Sequence, residues 1–188
     1  MIASGLPRRG SSPSIATDPD SGRGKTVMDP RGIATLVMLR HAEKGPGGDP
    51  SLTDVGKRRA IDLAHLLSAS GAIHLWSTAY KRTRETLEPL ASVLGLEVTT
   101  LDTNPEAWMK AIAAIGPGKV AVACGHQNTV PAVVKALGGT IGDVELHGTD
   151  AWLHPKDYDR LFLISWPVGV AFPSAETQVI ELRYGAHC

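Results

Sequence analysis

From residue 35 onward, short apolar runs of strand length alternate with segments whose apolar residues recur at helical spacing, and this alternation admits few architectures. Residues 35–39, Thr-Leu-Val-Met-Leu, form an unbroken apolar run, which predicts a strand covered on both faces. A Gly/Pro loop at 45–50 follows, and Thr53 is placed to cap a helix whose apolar positions are Ala60, Leu63, Ala64 and Leu67. The unit then repeats. A strand is expected at 73–76, then a helix carrying Leu87, Leu90, Ala91 and Leu94 that Gly95 stops. A third strand is expected at 97–101, with a helix from Pro105 to about residue 115 closed by Gly116-Pro117-Gly118. An apolar strand at 120–124 precedes a helix marked by Val130, Val133, Val134 and Leu137 and ended by Gly138-Gly139. Two further strands are read at 161–166 and 179–184. The pattern predicts the α/β class: a three-layer α/β/α sandwich on a mainly parallel sheet, with the last strand or two antiparallel at one edge.

Residues 1–32 are dense in Gly, Pro, Ser and charge and lack any period, so they are expected to form a disordered N-terminal tail ahead of one domain at 33–188. Met28 is a second candidate initiator within that tail. At 188 residues with 43% hydrophobic content, the chain has enough apolar material for a core without disulfide staples. Its 19 basic residues balance 19 acidic ones, which removes the broad field expected of a nucleic-acid or anionic-membrane binder. No run reaches the length of a membrane span, and the two cysteines, Cys124 and Cys188, support neither a disulfide framework nor a zinc cluster. A reducing, cytoplasmic location is the expectation. Oligomeric state is not legible.

Ligands of open α/β sheets bind beyond the carboxyl ends of the strands, where loops enter helices. Three such ends carry chemically loaded residues: Arg40-His41 after the first strand, residues 77–84 with Arg82 after the second, and His126 after the strand at 120–124. Helix N-termini facing the same crevice add unpaired N–H groups and favour an anion. Histidines and arginines converging there point to phosphoryl chemistry, because guanidinium forks match phosphate oxygens and an imidazole nitrogen can attack phosphorus. No carboxylate or thiol metal set accompanies them, so neither a metal nor another cofactor is expected.

Four motifs carry a more specific reading: Leu39-Arg40-His41-Ala42-Glu43-Lys44; Asp49-Pro50-Ser51-Leu52-Thr53-Asp54-Val55-Gly56; Ser77-Thr78-Ala79-Tyr80-Lys81-Arg82-Thr83-Arg84-Glu85-Thr86; and Gly125-His126-Gln127-Asn128-Thr129-Val130-Pro131. In this order the chain resembles the histidine phosphatase superfamily, in its phosphoglycerate-mutase-like branch of small phosphatases. The resemblance implies that His41 is the nucleophile that becomes phosphorylated. It implies that Arg40, Arg82 and a protonated His126 bind the phosphoryl oxygens, with the backbone at Gln127 and Asn128 as further donors. It also implies a general acid between the second and fourth motifs, for which Glu106 is the candidate and Asp102 the competitor.

Two positions depart from the family pattern. Gln127 stands where the acid phosphatase branch has an aspartate, and Gly47 where related mutases have an asparagine. The chain also lacks the long insertions with which mutases enclose their substrate, so the expected activity is hydrolysis of a small phosphorylated substrate or a phosphoprotein. A phosphomutase and a non-catalytic phosphate-binding module are the alternatives. His65, His74, His147, His154 and His187 are read as surface or satisfied residues, the four tryptophans as core or rim packing, and Cys124 as buried and inert.

Overall fold

The computed structural model describes residues 32–186, so the expected N-terminal tail lies, but for Gly32, outside the described residues, as does Cys188. The chain runs β1 (Ile33–Arg40), α1 (Asp54–Leu67), β2 (Ala72–Ser77), α2 (Lys81–Leu94), β3 (Val98–Thr100), α3 (Pro105–Ala113), β4 (Val120–Gly125), α4 (Thr129–Ala136), β5 (Val144–His147), β6 (Asp150–Leu153), β7 (Arg160–Pro167) and β8 (Gln178–Arg183). Six strands form one sheet in the order β3-β2-β4-β1-β7-β8. The pairs β3-β2, β2-β4 and β4-β1 are parallel, whereas β7 runs antiparallel to β1 and β8 antiparallel to β7. The last two strands thus form the antiparallel edge that the sequence pattern leads one to expect.

The two-residue period of β1 sorts its side chains onto two cores. Leu36 and Met38 face Trp108 and Ile112 of α3 and Val130, Val133 and Val134 of α4. Val37 and Leu39 face Leu63, Ala64 and Leu67 of α1 and Leu87, Leu90 and Ala91 of α2. Every strand residue from Leu36 to Leu39 is thus buried, which is why the run reads as continuously apolar instead of alternating. No helix among the described residues is long and apolar enough to cross a membrane.

Local chemistry sets the helix ends. The Thr53 hydroxyl accepts from the Gly56 N–H at 3.2 Å, capping α1 as its position predicts. Gly95 ends α2 in the left-handed conformation at φ 66°. The loop leaving β1 is drawn back on itself: Lys44 bridges Leu52, and the Thr53 N–H donates to the Glu43 carbonyl at 2.9 Å. Gly56 closes this arrangement, since a Cβ there would run into the Glu43 backbone. Glu43 in turn accepts from the buried Arg59, whose Nη1 donates to the Tyr184 carbonyl. The first turn of α1 thereby braces the segment that carries His41.

The hairpin β5-β6 lies between the last expected helix and the strand expected at 161–166, where the sequence reading places no element. Its signal was present: Gly148-Thr149 makes a two-residue loop between Val144/Leu146 and Ala151/Leu153, and Gly148 takes φ 67°. The short, half-polar strands weakened the pattern.

Candidate active site

Parallel register gathers the site. Arg40 of β1 pairs with Gly125 of β4, and Ser77 of β2 pairs with Cys124 of β4, so the next residues of all three strands emerge at one sheet edge. His41, Thr78 and His126 are those residues. The His41 N–H donates to the Gly125 carbonyl at 3.0 Å, and the His41 and His126 rings meet edge to face with centroids 5.5 Å apart. Arg40, His41, Arg82, His126 and Gln127 all line one cavity of about 470 Å³. Three of the four motifs, distant in sequence, thus meet around a space large enough for a phosphorylated group, while the second touches it only indirectly, through Asp49 beside Arg82.

His41 is 3% exposed, and its Nδ1 lies 2.8 Å from the Ala42 carbonyl. A carbonyl only accepts, so Nδ1 carries the proton and Nε2 keeps its lone pair. Burial depresses the His41 pKa to about 3, partly countered by the Ala42 hydrogen bond and reinforced by Arg40, His126 and Arg82. The imidazole is neutral at physiological pH, with its free nitrogen unprotonated.

His126 has the opposite tautomer, enforced by a chain of hydroxyls. The Thr83 hydroxyl donates to the Tyr80 carbonyl at 2.8 Å, which leaves the Thr78 hydroxyl to donate to Thr83 Oγ1 at 2.9 Å. Thr78 Oγ1 then accepts from His126 Nε2 at 3.0 Å, while Arg82 Nη2 approaches His126 Nδ1 at 3.5 Å. The unprotonated Nδ1 therefore faces Arg82. Burial first, then Arg82 and Arg40, lower the His126 pKa to about 4. In the free site desolvation and the two neighbouring guanidinium charges keep the ring neutral, so the protonated His126 expected in the transition state would have to arise once an oxyanion is bound.

Both arginines are held rigidly. Arg40 Nη1 donates to the carbonyls of His154 at 2.9 Å and Pro155 at 3.1 Å, and its guanidinium lies 4.2 Å from the Tyr158 ring centroid. Arg82 lies 4.2 Å from the Tyr80 ring centroid and 3.8 Å from Asp49 Oδ1. The Nε groups of both arginines are buried with no hydrogen-bond partner among the described residues. Leaving such a donor unpaired costs about 1–3 kcal/mol, and both guanidinium groups belong to residues that line the cavity, where an oxyanion would match their charge.

Tyr80, Tyr158, Lys44, Thr78 and Trp152 were not among the expected site residues. Lys44, Thr78 and Tyr80 lie within the motifs of the sequence, whereas Trp152 lies on β6 and Tyr158 in the loop before β7. Lys44 and Trp152 line the cavity, and Tyr158 contacts both Arg40 and His41.

Glu106 is not brought into this cavity. It sits exposed in the first turn of α3, where its N–H donates to the Asn104 side chain at 3.0 Å. Asp102 is occupied in the same turn, accepting from the Asn104 N–H at 2.9 Å. None of the residues lining the cavity carries a carboxylate. Nor, among the described residues, do three or more His, Cys, Asp or Glu side chains gather as metal ligands. Cys124 is fully buried and its thiol pKa is pushed up by burial, as expected of an inert cysteine.

A neutral imidazole with a free nitrogen, flanked by two guanidinium groups and a second histidine at the carboxyl edge of a parallel sheet, defines a phosphatase-class site. The sequence model of branch 1 of the histidine phosphatase superfamily matches residues 36–108 of this chain. No curated protein matches with significance. Among solved structures, the mycobacterial glucosyl-3-phosphoglycerate phosphatase is 16% identical, with 78% of this chain and 97% of that one covered at a TM-score of 0.54. The protein histidine phosphatase SixA complexed with tungstate is 14% identical, covering 79% and 96% at a TM-score of 0.54. A putative phosphohistidine phosphatase SixA from Nakamurella multipartitia is 21% identical, covering 73% and 87% at a TM-score of 0.50. At these identities the likeness is one of fold.

The two depressed histidines make a prediction about pH. An unfolded chain protonates each imidazole below about pH 6.5, whereas the folded site resists until about 4 at His126 and about 3 at His41. The unfolded state then binds more protons, so stability falls as pH drops through this window, with a limiting slope of about 1.4 kcal/mol per pH unit for each histidine. Denaturant titrations at pH 7 and 4.5 are expected to show a larger loss for the wild type than for His41→Asn. Equal losses would contradict the neutral, buried state of His41.

Proposed function

We propose that this protein hydrolyses phosphorylated substrates through a phosphohistidine intermediate on His41, without a metal ion. The observation that carries this reading is the His41 tautomer, with Nδ1 donating to Ala42 and Nε2 left as a free lone pair on the lining of a cationic cavity. Nε2 attacks phosphorus, the bond from phosphorus to the leaving group breaks, and the leaving group departs with the electron pair. Arg40 and Arg82 stabilise charge on the equatorial oxygens. An oxyanion held beside His126 raises that ring's pKa and draws a proton onto Nδ1, so that it too donates. Water then attacks phosphorus, the N–P bond pair returns to Nε2, and phosphate leaves after the water gives up a proton.

Hydrolysis is preferred to mutase transfer because the rim residues Tyr80, Thr103 and Asn128 are exposed, leaving the intermediate open to water. A purely binding role would give no reason to hold a lone pair free at the centre of the anion site.

The lining lacks a carboxylate to protonate a departing alkoxide, which favours substrates whose leaving groups need little help: aryl phosphates, acyl phosphates and phosphoramidates, phosphohistidine among them. Phosphate release from 4-nitrophenyl phosphate in the presence of chelator, compared with release from simple alkyl phosphates, tests this. Rapid, vanadate-sensitive release from the first and slow release from the second is the expected result, with the ratio unchanged in Glu106→Gln. A selective slowing of alkyl phosphates in that variant would restore Glu106 as the acid, and no release from either substrate would end the phosphatase reading.

A further inference from the structure

We propose that an apolar groove running from the catalytic cavity along the outer face of α4 is the subsite for the substrate's leaving group, and that it takes an extended apolar moiety such as an aryl group bearing an alkyl chain. The inference rests on the phosphatase reading above and concerns the part of the substrate that is released. Two further cavities, of about 130 Å³ and about 550 Å³, adjoin the catalytic one. The smaller shares Thr103, Asn128 and Thr129 with it, and the larger shares Asn128 and Trp152. All three are bordered by Asn128, the residue preceding α4.

The direction of the chemistry selects this groove. His41 and Arg40 are 3% and 4% exposed at the closed end of the catalytic cavity, while Asn128 and Thr103 are exposed at its mouth. In-line displacement places the leaving group opposite the attacking nitrogen, and therefore toward that mouth. The groove that begins there is walled by Pro105, Met109, Ala132, Ala136 and the Trp152 ring. Lys135 and Asp150 are the charged residues along its larger part, and the smaller part carries none. The strongly cationic lining around His41 thus gives way to a surface that recognises by apolar burial. Continuity with the catalytic cavity identifies the occupant as the substrate itself.

The probes are a series of 4-alkylphenyl phosphates, from methyl to butyl, used as competitors of acetyl phosphate hydrolysis. Their phenol leaving groups are alike in basicity, so chain length reports the groove alone. The inhibition constant is expected to fall by about fourfold for each methylene that enters the groove. Ala132 is exposed on α4 and takes no part in the catalytic cavity, so Ala132→Trp should fill the groove without disturbing the fold. That variant is expected to lose the chain-length trend while hydrolysing acetyl phosphate at the wild-type rate, and Ala132→Glu to reverse it. A wild-type protein with no trend, or a trend that survives Ala132→Trp, overturns the proposal, as does self-association through this face that the same variant abolishes. Failure of the wild type to hydrolyse acetyl phosphate at all would count instead against the phosphatase reading.

Discussion

Replacing His41 with alanine is expected to lower turnover of every phosphorylated substrate by at least about 10⁴-fold, because the other unprotonated nitrogen of the cavity, His126 Nδ1, is turned toward the Arg82 guanidinium. The fold should survive. The hydrogen bond that is lost is local, from Nδ1 to the next residue's carbonyl, and the removed imidazole is one that burial holds at a pKa of about 3. Both guanidinium groups remain, so inorganic phosphate or tungstate should still bind, measurable by calorimetry. Retained binding with abolished turnover is the signature of a nucleophile. Turnover within tenfold of the wild type would show that phosphorus is attacked by water directly, with His41 only a neighbour.

The second large effect is expected at Arg82. Its guanidinium is stacked on Tyr80, 3.5 Å from His126 Nδ1, with a buried Nε that has no partner among the described residues. Arg82→Ala removes one charge-matched donor from the transition state, a loss of roughly 10²- to 10³-fold in kcat. It also frees His126. Arg82 is the foremost charge depressing that ring, so the His126 pKa should move upward from about 4, visible in an NMR titration of the imidazole. Arg82→Lys keeps the charge but not the planar fork, and should recover only part of the rate. An unchanged His126 titration would mean that burial alone sets its protonation.

Much of the fold was legible because it depends on local periodicity. The apolar run at 35–39 and the spacing of Ala60, Leu63, Ala64 and Leu67 announce a doubly covered strand and a helix that lies on it, and the observed β1 and α1 follow. The hairpin β5-β6 escaped notice because four-residue strands carry too few alternations to stand out, and Trp152 was lost with it. The anion site was legible as three motifs at strand ends. The rings that back it were not, since Tyr158 reaches Arg40 and His41 from more than a hundred residues away in sequence.

The sequence by itself determined the layered α/β architecture and which residues carry charge and nucleophilicity, because these follow from period and side-chain type. Only the tertiary structure decided the protonation states of His41 and His126, the exclusion of Glu106 from the cavity, and the groove that continues from it. Those properties depend on which groups become neighbours after burial: desolvation and the nearby guanidinium charges lower the histidine pKa values, the Asp102 carboxylate is taken up by the Asn104 N–H, and Glu106 sits exposed on α3 outside the cavity lining.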